Sequence, residues 1–234
     1  MEPGSLSEAL VALGKIMVMN VVLSGDNAVV IALACRRLTP ANQRIAFIWG
    51  SAGVVVLMVI LTLFINWLMD IPYVQIVGSV LLLWIGIKLL VAEDEGGEDG
   101  IEQKDTLMAA IRTIIIADMV MSLDNVLAMA GAAKGHMWML IVGLVITVPV
   151  ILFGSAILMK IMERFPIVIL IGAALIGWVA GEMTIADKSI KGWIEHEAAW
   201  LDWGAPIACA LLVIGAGKFM EHMQKRKSAD IALP

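Results

Sequence analysis

Seven long apolar runs, parted by short polar stretches, organise this chain. They cover about 9–35, 45–69, 71–92, 107–133, 137–159, 165–186 and 204–221. Each is close to the roughly 20 residues that a helix needs to cross a hydrocarbon core. Barrel strands would instead show alternating segments of about ten residues. The pattern therefore predicts an all-α integral membrane protein with seven transmembrane helices. Pro72 and Pro166 stand at span starts, where a missing N–H costs little. Pro149 lies inside the fifth run and is expected to kink it.

Composition agrees with that pattern. Apolar residues make up 61% of the 234 positions, charged residues only 16%, and the mean hydropathy is +0.94. A soluble domain carries about 25% charge. A soluble enzyme, a secreted disulfide scaffold and a nucleic-acid binder are excluded, the last also by a net charge of −5. The two cysteines, Cys35 and Cys209, form no metal-binding pair motif. The N-terminal MEPGSLSEAL has no basic region ahead of an apolar stretch, so the first run is expected to remain as a span.

Lys and Arg set the direction. With the N-terminus outside and the C-terminus inside, only Lys15, Lys134, Lys188 and Lys191 fall on the outer side, and the other 12 of the 16 lie inside. The chain then divides into a first three-helix repeat (1–92), an acidic cytoplasmic linker (93–106), a second three-helix repeat (107–186), an outer interfacial segment (187–203) and a seventh helix with a basic tail (204–234). The linker, rich in Asp, Glu and Gly, reads as a solvated connection. The 187–203 segment carries Trp193, Trp200 and Trp203 among charges, as an amphipathic stretch at a membrane surface does. His196, between Glu195 and Glu197, reads as a solvated surface histidine.

An internal repeat carries the chemistry. Residues 16–34, IMVMNVVLSGDNAVVIALA, return at an offset of 98 as IIIADMVMSLDNVLAMAGA in residues 114–132. Ser24 matches Ser122, Asp26 matches Asp124, Asn27 matches Asn125, and Asn20 matches Asp118. A second echo pairs PYVQIVGSVLLLW (72–84) with PIVILIGAALIGW (166–178). Three spans per copy make the second copy enter the membrane from the opposite side. That is the inverted-repeat arrangement in which transporters place substrate near the midplane. Asp26 and Asp124 would lie about 6 Å to either side of the centres of their spans, at 1.5 Å per residue.

A charge in mid-membrane costs roughly 2.5–3.5 kcal/mol on insertion scales. Interhelical hydrogen bonding explains Ser24 and Ser122 without invoking function. It explains the three aspartates poorly, since two of them recur in one motif. Asp118, Ser122 and Asn125 share a helix face, whereas Asp124 stands about 120° away from Asp118 on an ideal helix. Either the helices break near Ser24–Gly25 and Ser122–Leu123, or each buries two polar faces. A break is expected at least in the first copy, where Gly25 permits it. The candidate metal ligands are Asn20, Asp26, Asn27, Asp118, Asp124 and Asn125, with Ser24, Ser122 and Gly25 in support. Glu182, near the outer end of the sixth span, is a candidate relay or gate. An all-oxygen donor set suits Mg²⁺, Ca²⁺ or Mn²⁺ and disfavours Zn²⁺ and Cu⁺.

The doubled LSGDN and MSLDN motifs, the acidic mid-loop and the seven spans resemble the TerC family of integral membrane proteins. The resemblance implies a multi-pass protein of the plasma or inner membrane, in the wider LysE-like transporter group. It implies a non-enzymatic protein that exports a divalent cation, with Mn²⁺ as the transported ion, Ca²⁺ and Mg²⁺ as alternatives, and no organic cofactor. Its partners are then the lipid bilayer, the cation and protons as counter-ion, with no nucleic acid. The oligomeric state is left open. Two other readings of the residues stand beside it. One is a non-transporting scaffold in a metal, tellurite-stress or secretion complex. The other, more remote, is an intramembrane aspartyl protease, which Ser24-Gly25-Asp26 faintly resembles.

Overall fold

A computed structural model describes residues 14, 25–36, 38–91, 103–132 and 137–231, and within the helices the side chains of 123–132, 137–148 and 224–231, among others, are not described. Among the described residues, all regular structure is helical. In chain order the helices are α1 Gly25–Cys35, α2 Pro40–Asp70, α3 Val74–Val91, α4 Gln103–Ala132, α5 Met137–Arg164, α6 Ile167–Ala186, α7 Lys188–Glu197 and α8 Leu201–Ile231. Four stretches are long and apolar enough to cross a membrane: Pro40–Leu61, Val74–Val91, Ile167–Ala186 and Leu201–Met223. At 1.5 Å per residue, 18–23 residues span roughly 27–35 Å, the thickness of a hydrocarbon core.

The helices belong to two packing units. One comprises α1, α2 and most of α4 and α5, and the other α3, α6, α7 and α8. Each unit thus draws helices from both halves of the sequence. The two copies of the Asp-Asn motif fall in the first unit, on α1 and α4. The two copies of the Pro–Gly–Trp echo fall in the second, at the starts of α3 and α6.

In the second unit, packing inverts the soluble-protein pattern. Along α6 the small residues Gly172, Ala173, Gly177, Ala180 and Gly181 are buried, while Ile167, Ile171 and Leu175 are exposed. Large apolar side chains on the outside and small ones between helices are what lipid surroundings select, since lipid does not drive bulky residues inward. Trp49 and Leu63 on α2, 65% and 63% exposed, follow the same rule in the first unit. The small residues let α6 and α8 meet backbone to backbone. A Cβ on Gly177 would stand 2.7 Å from the Cys209 carbonyl oxygen, and one on Gly181 would collide with the Pro206 backbone. Gly86 of α3 meets Ile176 and Val213 as closely as a glycine allows. Helix α8 is therefore wedged against α6, and it packs on α3 as well.

Polar bonds close one end of this unit. Asp187, only 2% exposed, accepts from the Ser189 N–H (2.9 Å) and so caps α7. Its other carboxylate oxygen accepts from the Gln75 and Ile76 N–H groups at 3.1 and 3.3 Å, capping α3 as well. Tyr73, held at φ 64°, donates its N–H to Ser189 Oγ at 3.2 Å. Deeper, Thr184 donates to Ser79 between α6 and α3. Burial alone would raise the Asp187 carboxyl, but the bonds from Ser189, Ile76 and Gln75 outweigh it and hold it below the ordinary value. Its contribution to stability is therefore complete above the ordinary carboxylate pKa of about 3.9 and is lost as pH falls through the depressed folded value. Asp187→Ala removes two caps, each worth roughly 0.5–2 kcal/mol. It should lower the melting temperature in detergent clearly at pH 7, with the gap to the wild type closing as the pH is taken below 4.

Two expectations about the helices need comment. The helix α4 runs unbroken through Ser122–Leu123, so the break considered there is absent. The residues around it, Met121, Leu123 and the Val-Leu-Ala-Met that follow Asn125, include no glycine and favour helix. Helix α5 likewise continues through Pro149.

Candidate cation site

The first unit holds a small cavity of about 20 Å³. Asn27, Val30 and Ile31 of α1 line it, with Ser51 and Val54 of α2, Ile114 and Asp118 of α4, and Ile151 of α5. Its position follows from the sequence. The apolar faces of α1, α2, α4 and α5 pack together, and the motif residues fall on the packed faces. Helix α5 lies near α1 at Gly154, where an added Cβ would be in ordinary contact with Ala28 at 3.9 Å.

Both copies of the repeated motif reach this space. Asn27 comes from the first copy and is 4% exposed; Asp118 comes from the second and is 5% exposed. Ser122, fully buried, donates its hydroxyl to Asp118 Oδ2 at 3.0 Å. That bond is the i, i+4 contact expected of their shared face. It fixes the rotamer of the carboxylate and leaves Oδ1 for another partner. Asp26, beside Asn27 on α1, is half-buried. Its Oδ1 accepts from the Asn27 N–H at 2.8 Å, a local acceptor of the sort found where helices begin. Gly25 is the first residue of α1 as described.

Asn27 Oδ1 is the unusual atom. It is buried and, among the described residues, has no hydrogen-bond partner. Leaving such a group unsatisfied costs about 1–3 kcal/mol. Among the described residues, the polar groups on the cavity wall, from Asn27, Ser51 and Asp118, can all offer oxygen to a guest, and no Lys or Arg lines it. Among the described residues, no group of three or more Asp, Glu, His or Cys side chains gathers anywhere. A cation here would thus be held by carboxylate together with amide and hydroxyl oxygens.

The remaining candidates are distributed differently. Asp124 and Asn125 lie on α4, but their side chains are outside the described set; Asn20 and Ser24 are outside it altogether. The expected break at Ser24–Gly25 falls on that boundary. Glu182 belongs to the second unit, where it is exposed and accepts from Trp178 Nε1 at 2.8 Å. Trp178 in turn meets Trp203 edge-on at 6.1 Å. His196 is exposed, as a solvated histidine would be. Ser51 was not foreseen. Its signal was present as Gly50-Ser51-Ala52-Gly53, a run of small residues inside an otherwise bulky span.

Comparison with known proteins now bears on this arrangement. The model of the integral membrane protein TerC family matches residues 5–226. The chain belongs to the TerC family. This TerC protein is 35% identical over 216 residues to the "Uncharacterized membrane protein YjbE" of Bacillus subtilis, an alignment covering 92% of this chain and 98% of that one. It is 27% identical over 205 residues to the "UPF0053 inner membrane protein YgdQ" of Escherichia coli, covering 80% and 86% of the two chains. A further Bacillus subtilis relative, "Uncharacterized membrane protein YkoY", is 23% identical over 232 residues, covering 88% and 70%. No solved structure matches. The TerC protein is thus a multi-pass membrane protein, as its exposed apolar helices require.

Proposed function

We propose that this TerC protein carries a divalent cation, Mn²⁺ in the reading that the family suggests, from the cytoplasm outward by alternating access. The cavity between α1, α2, α4 and α5 is the cation site. Asp118 is the principal anionic ligand, Asn27 Oδ1 a neutral one, and Asp26 a second charge at its edge. Ser122 positions Asp118. Asn20, Asp124 and Asn125 complete the ligand set from the rest of the doubled motif. In this reading the chain has seven spans in two inverted repeats, with the N-terminus outside.

The observation that carries the reading is the buried Asn27 Oδ1 beside a buried carboxylate, with neither a partner for that oxygen nor a Lys or Arg on the cavity wall among the described residues. A bound metal ion would satisfy both groups at once. An interhelical hydrogen-bond role would leave no orphan.

Energetics point to a driving ion. One charge moved against 100 mV costs about 2.3 kcal/mol. A divalent ion leaving an inside-negative cell costs about twice that, or over a thousandfold in concentration. Proton antiport meets this cost, and the sequence has no P-loop for ATP. Proteoliposomes holding the purified protein should release radiolabelled Mn²⁺ faster when a proton gradient opposes the metal flux, and much more slowly once an uncoupler collapses it. Release at the same rate with and without the gradient would remove the proton from the mechanism. No protein-dependent release at all would leave the scaffold reading in its place.

A further inference from the structure

The cavity has a third polar wall that the repeated motif does not supply. Ser51 of α2 is 8% exposed and lines the same space as Asn27 and Asp118. Its approach is built into the helix. Gly50 and Gly53 bracket it, and a Cβ on Gly53 would stand 2.6 Å from Ile115 Cδ1, one on Gly50 3.2 Å from Ile114 Cγ2. Glycine at these two positions lets α2 lie against the Ile114 and Ile115 side chains of α4 without those side chains having to shift, and Ser51 between them lines the cavity that holds Asp118. The remaining wall is aliphatic, from Val30, Ile31, Val54, Ile114 and Ile151.

Volume adds the second half of the argument. The space is about 20 Å³, and a single water needs roughly 10–15 Å³ on the same measure. One water-sized body fits, but a hydrated ion does not. The aliphatic walls would also leave the waters of a retained hydration shell without hydrogen-bond partners.

We infer that Ser51 is a cation ligand contributed by α2, and that the site takes its ion stripped of most of its water, which makes it selective against Mg²⁺. This rests on the cation-transport reading above and names the specificity of that site. Mg²⁺ gives up water reluctantly and usually keeps several waters when bound to protein. Mn²⁺ is larger and holds its water less tightly, so the same stripping costs it less. The hydroxyl of Ser51 replaces one of the waters the ion leaves behind, and it comes from a helix that does not carry the repeated motif.

The test is metal titration of the purified full-length protein in detergent, read by isothermal calorimetry with Mn²⁺, Mg²⁺ and Cd²⁺. The wild type should bind Mn²⁺ more tightly than Mg²⁺. Ser51→Ala should weaken Mn²⁺ by about tenfold, the equivalent of one lost ligand contact. Ser51→Cys is nearly isosteric and presents a soft sulfur, which should shift preference from Mn²⁺ toward Cd²⁺ by about tenfold. A purely structural serine would not move that ratio. An unchanged Mn²⁺ to Cd²⁺ ratio in Ser51→Cys, with Mn²⁺ binding otherwise intact, overturns the Ser51 assignment and leaves the cation site standing. Equal affinity of the wild type for Mn²⁺ and Mg²⁺ overturns the dehydration argument. A wild type that binds no divalent ion overturns the cation reading itself.

Discussion

Asp118→Asn is expected to reduce Mn²⁺ transport at least a hundredfold while leaving the protein folded. Asparagine keeps the shape of the side chain, and its carbonyl still accepts from Ser122 Oγ, which now binds the carboxylate at 3.0 Å. What is lost is a full negative charge in a site where the walls are aliphatic and the screening by water is weak. Removing one partner from a buried charge pair typically costs about 3–5 kcal/mol, and 1.4 kcal/mol is already tenfold in binding. Ser122→Ala should cost far less, since it loosens the carboxylate without removing it. Transport measured in proteoliposomes, with melting temperature as the control for folding, separates the two. If Asp118→Asn transports like the wild type, the cavity is not on the cation path.

Gly181→Val is expected to disrupt the second unit outright. Even a bare Cβ at this position would overlap the Pro206 backbone, and Gly177 one turn earlier is almost as closed. Neither neighbour is the tip of a flexible side chain. The helices would have to separate along their whole contact, giving up the packing that holds helices together in lipid. The cost should exceed the roughly 1–3 kcal/mol usual for overpacking. The expected readout is a large fall in melting temperature and in folded yield. Gly215 of α8 supplies the comparison, for nothing lies within 4 Å of a Cβ built there. Gly215→Ala should be neutral or stabilising, since alanine is favoured over glycine in a helix by about 0.5–1 kcal/mol. Equal behaviour of Gly181→Val and Gly215→Ala would refute the close crossing of α6 and α8.

The contrast between these glycines shows what a single sequence displays and what it conceals. The apolar runs located α2 to α6 to within about five residues, because length and apolarity are local properties, whereas α8 runs on to Ile231, ten residues past its apolar run. The amphipathic 187–203 segment appeared as α7 for the same reason. The doubled motif singled out Asn27 and Asp118, and both line one cavity. Ser51 was hidden because it lies outside the repeated motif. It reaches the site only through the packing of Gly50 and Gly53 on Ile114 and Ile115, a tertiary contact with no sequence period. Asp187 looked like one more acid in a charged segment. Its double capping of α3 and α7 depends on helices separated by more than 100 residues. The grouping of helices was hidden too. Two consecutive three-span repeats give no hint that α3 and α6 pack together with α8, apart from the motif copies on α1 and α4.

The central claim is that Asn27 and Asp118 form one cation site. Electron paramagnetic resonance of Mn²⁺ added to the purified protein tests it most directly, because bound and free Mn²⁺ give different spectra. The account predicts saturable binding by the wild type, sharply weakened in Asp118→Asn and in Asn27→Leu at unchanged melting temperature without metal. Mn²⁺ binding of equal strength in the wild type and both variants would contradict it.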